Sequence, residues 1–260
     1  MSWEDSGKAW GDRAADWAYL FEPYARPAND ELFARVGLAP GQRLLDIACG
    51  SGFAAHTAAA RAARVAGLDA SEALIAIARA RTPAGDFRVG DMFALPFADA
   101  TFDVATSFNG IWQGCDAALV EARRVVRPGG MVGLTFWGAP KTLGLMPFFA
   151  TVFRLSPSDH ANATISQGGT GQPGVVEAMF AGAGLEFCER GTVEVVNEWP
   201  DLDVAVRALS SAGPSWPAIQ AAGEDTFAAA LREALGPLVD PVLGLRIVST
   251  FGWATARVPV

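Results

Sequence analysis

Cysteine, histidine, lysine and tyrosine are all scarce in this sequence. Its three cysteines, Cys49, Cys115 and Cys188, are scattered and odd in number, which excludes a disulfide framework and fits a reducing compartment. His56 and His160 stand far apart, so no zinc site of the usual kind is written into the chain and no metal is expected. Lys8 and Lys141 are the only lysines, and the net charge is −8 with a pI near 4.8. A phosphate-collecting surface needs a clustered basic face, so nucleic acid is not an expected partner. No stretch reaches the roughly 20 charge-free apolar residues of a spanning helix. The opening MSWEDSGKAWGDRAADW lacks the apolar core of a signal peptide. These absences predict a cytoplasmic protein, off the membrane, acting on a small molecule.

The residues present are 51% apolar over a length of 260, enough for one α/β domain with insertions. From Arg43, short apolar runs alternate with alanine-rich segments of helical period, the pattern of βαβ units around a parallel sheet. RLLDIAC reads as a first strand and 53–63 as a first helix. RVAGLDA (64–70) and SEALIAIARAR (71–81) form the second pair, with Ser71 as N-cap. DFRVGD (86–91) and FDVATSF (102–108) supply strands three and four, and 115–126 the next helix. RPGGMVGLTFW gives a Pro-Gly turn and a fifth strand at 131–137.

After Gly138 the rhythm changes. LEFCERGTVEVVNEWP and GLRIVSTFGWATARV predict two late strands (184–200 and 244–258), an antiparallel pair at one sheet edge. Two helix-like stretches lie between them. The whole reads as a Rossmann-like doubly wound fold divided into an N-terminal helical cap (1–37), a core (38–137) and lid insertions (139–175 and 201–243).

LLDIACGSGFAA, from Leu44 to Ala55, carries the functional signal. A strand, a glycine turn and a helix aim backbone N–H groups at one point. Gly50, Gly52 and Ala55 satisfy G-x-G-x-x-[G/A], and Asp69 falls about twenty residues on, where a ribose-binding acid sits in a dinucleotide site. That spacing alone leaves an NAD(P)-dependent oxidoreductase open. Asp46 argues otherwise: an acid at the end of the first strand has no use beside a pyrophosphate and suits a cationic ligand. In GDMFALPFADATFDVA, the Asp91 carboxylate can accept from an exocyclic amine while Met92 and Phe93 pack a purine ring.

With GLDAS and EARRVVRPGGMVGLTFW, these stretches resemble the class I S-adenosylmethionine-dependent methyltransferases, particularly the small-molecule branch that includes the ubiquinone/menaquinone-biosynthesis type. The resemblance is strong over 43–137, recognisable in ADWAYLFEPYARP, and fades across 139–243. It implies a seven-stranded sheet of order 3-2-1-4-5-7-6 with strand seven antiparallel. It also implies S-adenosylmethionine as cofactor. Asp46 and the Ala48, Gly50, Ser51 and Gly52 loop would hold its methionine end, Asp69 with Ala70 the ribose, and Asp91, Met92 and Phe93 the adenine. Phe108 and Asn109 would border the reacting methyl, and Trp17 and Tyr24 would cover the cofactor.

For the acceptor, Trp112 and Phe149 are the candidate pocket residues, at a strand's carboxyl end and in the lid respectively. His160 is the candidate general base, because its pKa lies near neutrality. A protein that keeps the cofactor fold without transferring a methyl group stands as a further alternative, since fold does not settle activity.

Overall fold

A computed structural model describes residues 2–157 and 169–260. The strands are β1 (Arg43–Ile47), β2 (Arg64–Asp69), β3 (Asp86–Val89), β4 (Phe102–Phe108), β5 (Val126–Trp137), β6 (Glu186–Trp199), β7 (Val239–Asp240) and β8 (Gly244–Arg257). Their order is β3-β2-β1-β4-β5-β8-β6, with the two-residue β7 paired to β8 off this path. The contacts among β1 to β5 are parallel; β8 runs antiparallel to both β5 and β6. This is the expected order, the expected seventh strand being β8.

Helices cover both faces, as strands apolar on each side require. On one face Leu32 and Phe33 of α3 (Arg26–Arg35) with Val36 just after it, Ala54, Ala55 and Ala58 of α4 (Phe53–Ala59), and Ile75 and Ala78 of α5 (Glu72–Arg81) pack on Leu44, Val65 and Val104. On the other, α6 (Asp116–Val125) and α8 (Val175–Gly182) pack on Leu45, Ile47 and Val132. Alternate residues of β1 therefore enter different cores, and Ser71 caps α5 by accepting from Leu74 N–H at 3.2 Å.

A third apolar core joins α7 (Met146–Leu155), α9 (Leu202–Ser210), α10 (Ser215–Ala222) and α11 (Glu224–Leu235) to Phe21, Trp199, Leu245 and Ile247. The residues 201–240 thus form three helices, not the two expected, because Gly223 at φ +87° and ψ 151° breaks one apparent run into α10 and α11. The fifth strand also differs. It starts at Val126, and the residues between Val126 and Met131 stand opposite a single residue of β4 as a bulge, where a turn was expected. Asp103 holds that bulge by accepting from Arg127 Nε at 2.7 Å and from Arg43 N–H at 2.8 Å.

The N-terminal segment divides as well. α1 (Trp3–Gly11), the short α2 (Ala14–Asp16), a π-helical turn (Trp17–Phe21) and a 3-10 turn (Glu22–Ala25) cross the carboxyl ends of the strands, whereas α3 is a layer of the sandwich. Gly7 of α1 rests against the Ala70 carbonyl, an approach that leaves no room for a Cβ. Among the described residues no helix is long and apolar enough to cross a membrane.

Candidate functional site

The loop after β1 is built from left-handed residues: Ala48 at φ +57°, Gly50 at +54° and Gly52 at +73°. Asn109, just past β4, has φ +57° too. Such values are uncommon outside glycine and mark backbone fixed by its surroundings. The two loops touch: a Cβ on Gly110 would strike Ala48 Cβ and come within 2.8 Å of Ser107 Oγ. Asn109 is pinned as well, since its Oδ1 accepts from Thr135 Oγ at 3.3 Å.

The loop amides are already used by the protein itself. Cys49 N–H donates to the Leu68 carbonyl at 3.0 Å, Gly50 N–H to Asp69 Oδ2 at 2.8 Å, and Gly52 N–H to the Cys49 carbonyl at 2.9 Å. Ser51 N–H donates to Glu22 Oε1 at 3.3 Å. The amides of residues 49–52 are therefore all donated within the protein, which leaves the loop no free backbone donor for an anion.

Three buried carboxyl groups surround this loop. Asp46, 1% exposed, accepts from Thr106 Oγ at 3.3 Å. Burial pushes its pKa well above the usual carboxylate range; the Thr106 hydroxyl opposes this, and the charges of Glu22 and Asp69 add to it. Burial also raises Asp69, against the backbone N–H groups of Ser71, Gly50 and Ala70. Its Oδ1 accepts from Ser71 N–H at 2.9 Å, so both oxygens are engaged, yet a carboxylate has lone pairs for two further donors.

Glu22 comes from the cap. It accepts from the Ser51 hydroxyl and pairs with Arg81 Nη1 at 2.8 Å, while Arg81 Nη2 donates to the Ala18 carbonyl at 2.7 Å. Burial raises the Glu22 pKa against these partners.

Other expected residues fall around this centre. Trp17 lies at the glycine loop, with Nε1 buried, without a partner, and 3.6 Å from where a Gly50 Cβ would be. Tyr24 sits farther along the cap, stacked on Trp137 at 6.4 Å and edge-on to Phe251 at 5.6 Å. Asp91 closes a turn by accepting from Phe93 N–H at 2.9 Å. Met92 leans on the core under α6, and Phe93 is 42% exposed. Phe108 packs edge-on to Phe33 at 5.4 Å. Trp112 is 46% exposed beyond β4.

Phe149 is corrected by its packing. At 1% exposure, edge-on to Trp137 at 5.2 Å and beside Phe148, it is core of the helical region with no surface open to an acceptor. His160 lies outside the described residues. Among the described residues, no group of three or more His, Cys, Asp or Glu side chains could hold a metal ion.

Sequence reasoning missed Glu22, Arg81 and Thr106. Glu22 and Arg81 are 29 and 30 positions from Ser51, and only the oddity of a carboxylate inside the aromatic run WAYLFEPY hints at a role.

Residues 44–130 match a family described as a methyltransferase domain. An uncharacterized protein of Mycobacterium tuberculosis is 35% identical over 153 residues, 56% of this chain and 55% of that one. The chain thus spans about half the length of such curated relatives. The demethylmenaquinone methyltransferase of Bacillus subtilis is 29% identical over 181 residues, covering 61% of this chain and 77% of that one. Among solved structures, geranyl diphosphate C-methyltransferase from Streptomyces coelicolor, in complex with S-adenosyl-L-homocysteine, superposes with a TM-score of 0.51 at 16% identity, over 88% of this chain and 74% of that one.

Proposed function

We propose that this chain, which contains a methyltransferase domain over residues 44–130, uses S-adenosylmethionine to methylate a small apolar or aromatic molecule in the cytoplasm. One observation carries the reading. The amides of residues 49–52 are donated within the protein, and the buried acids Glu22, Asp46 and Asp69 face the same loop. A pyrophosphate needs free donors there, whereas a ligand carrying ammonium and sulfonium charges needs acceptors.

The residues fit the cofactor: Asp46 and the 48–52 loop take its methionine end, Asp69 and Ala70 the ribose, and Asp91, Met92 and Phe93 the adenine. The buried, unpartnered Trp17 Nε1 adds one donor to that set of acceptors. When bound, S-adenosylmethionine supplies a methyl group already activated on sulfur.

The protein's contribution is therefore alignment and exclusion of water. Proximity and orientation can lower a barrier by roughly 7–11 kcal/mol. Phe108 and Asn109 border the reaction point, fixed by Phe33 and Thr135, and the segment 14–25 lies across it. Trp112 lines the acceptor side. His160 takes the proton from an acceptor that must lose one, a role worth about 10²–10⁴-fold.

Titration calorimetry with S-adenosylhomocysteine tests the reading. Saturable binding is expected, and no heat at millimolar ligand, with NADH fluorescence enhanced instead, would replace it with the oxidoreductase alternative. Cofactor binding without transfer to a broad acceptor panel would favour a non-catalytic binding protein.

A further inference from the structure

The cap meets the glycine loop with polar groups. A Cβ on Gly50 would lie 3.1 Å from Glu22 Oε1 and 3.6 Å from Trp17 Nε1, so these two cap atoms are the ones that stand over Gly50. Glu22 Oε2 is engaged by Arg81 and by the Ser51 hydroxyl, while Oε1 receives a single long bond from Ser51 N–H at 3.3 Å. Oε1 thus keeps acceptor capacity. Trp17 Nε1 is a buried donor without an acceptor, a state that ordinarily costs free energy and calls for a partner. One acceptor and one donor, side by side over one glycine, match the two charges of an amino-acid zwitterion.

Resting on the methyltransferase reading above, we propose that Glu22 is a specificity residue that accepts from the α-ammonium of the cofactor's methionine end while Trp17 Nε1 donates to its α-carboxylate. The cap then recognises the charged end of the ligand as well as covering it. Arg81 is a positioning residue: through Glu22, the Ser51 carbonyl and the Ala18 carbonyl it ties the cap to the loop. Charge balance agrees. Glu22, Asp46 and Asp69 interact electrostatically around the loop, Arg81 is the cation paired with Glu22, and a ligand bringing positive charge relieves the excess.

The test compares two ligands in one calorimetric series. S-adenosylhomocysteine carries the amino-acid end; 5′-methylthioadenosine carries the adenosine and thioether without it. Wild-type protein is expected to prefer the first. Glu22→Gln keeps the hydrogen-bonding shape and removes the charge, and should weaken S-adenosylhomocysteine by about 10- to 100-fold with methylthioadenosine unchanged. Trp17→Phe keeps the ring and removes the donor, and should show the same selective loss to a smaller degree.

Unchanged S-adenosylhomocysteine affinity in Glu22→Gln overturns the proposal, and so does equal loss of both ligands, which would make Glu22 a structural support of the loop. Wild-type protein that binds neither ligand overturns the methyltransferase reading itself. Should Glu22→Gln fail to fold, Trp17→Phe decides: selective loss supports the proposal, and no loss or equal loss overturns it.

Discussion

Gly52 offers a direct measure of how tightly the loop is specified. It caps α4 at φ +73°, and a Cβ there would lie 2.7 Å from Ala78 Cβ, 3.0 Å from Ala78 Cα and 3.5 Å from the Phe87 ring. Gly52→Ala incurs two separable costs. The left-handed backbone costs an L-residue roughly 1–2 kcal/mol, and forcing α4 away from α5 adds the roughly 1–3 kcal/mol typical of overpacking. The sum is about 2–5 kcal/mol. At roughly 2–4 °C per kcal/mol for a chain of this size, the melting temperature should fall by about 4–20 °C.

Gly37 supplies the control, because it has φ +64° and nothing within 4 Å of a Cβ. Gly37→Ala should lose only the backbone cost, about 1–2 kcal/mol. Ala78→Gly removes the nearer clashing atom, so in a double-mutant cycle it should return about 1 kcal/mol to Gly52→Ala beyond its own helix penalty. Denaturant unfolding of the four variants measures each difference. Equal losses at Gly52 and Gly37, or no coupling between Gly52 and Ala78, would refute the packing argument.

Asp46→Asn should make the ligand-free protein more stable while weakening S-adenosylhomocysteine. Because burial raises the Asp46 pKa, the unfolded chain loses this proton first, so wild-type stability falls as pH rises from about 4 toward the folded value. The gain from Asp46→Asn should grow over that range, and a flat or reversed difference in melting temperature against pH would contradict it. Trp199→Phe removes the Nε1–H bond to the Leu20 carbonyl, 2.8 Å long, and should cost about 1–2 kcal/mol with faster amide exchange over residues 17–25. Trp112→Ala, at an exposed position, should change stability by no more than about 0.5 kcal/mol and leave S-adenosylhomocysteine binding intact while slowing methylation of any acceptor found by screening.

Much of the fold was legible because the central strands announce themselves locally. β4 was read residue for residue, and Ser71 caps α5 as its position before EALIAIARAR predicts. The strand order followed from the family pattern together with two late apolar runs. The bulge in β5 was not legible, since Arg127, Pro128, Gly129 and Gly130 look like a turn until Asp103 and Arg43 are brought beside them. Phe149 was misread for a related reason: an aromatic in a lid segment looks the same in sequence whether it faces an acceptor or, as here, Trp137. Glu22 reaches the loop only through the fold.

The loop shows why glycine spacing alone is ambiguous. Gly50, Gly52 and Ala55 produce the same strand-turn-helix backbone in a phosphate site and in this one, because spacing fixes shape. The sign of the ligand depends on whether the amides inside that shape are free. Here Asp69 takes the amide of Gly50, and Glu22, arriving from the cap, takes that of Ser51. The same two carboxylates that remove donors from the cradle also line it with negative charge. An acid about twenty residues downstream, read as a ribose partner by either spacing, also holds the Gly50 amide, which on the proposed reading favours a cationic ligand over an anion. Asp69→Ala should accordingly weaken S-adenosylhomocysteine through the loop as well as through the ribose. Methylthioadenosine, which keeps the ribose and lacks the ammonium, separates the two: it should lose less affinity in Asp69→Ala than S-adenosylhomocysteine does, and equal losses would confine Asp69 to the ribose.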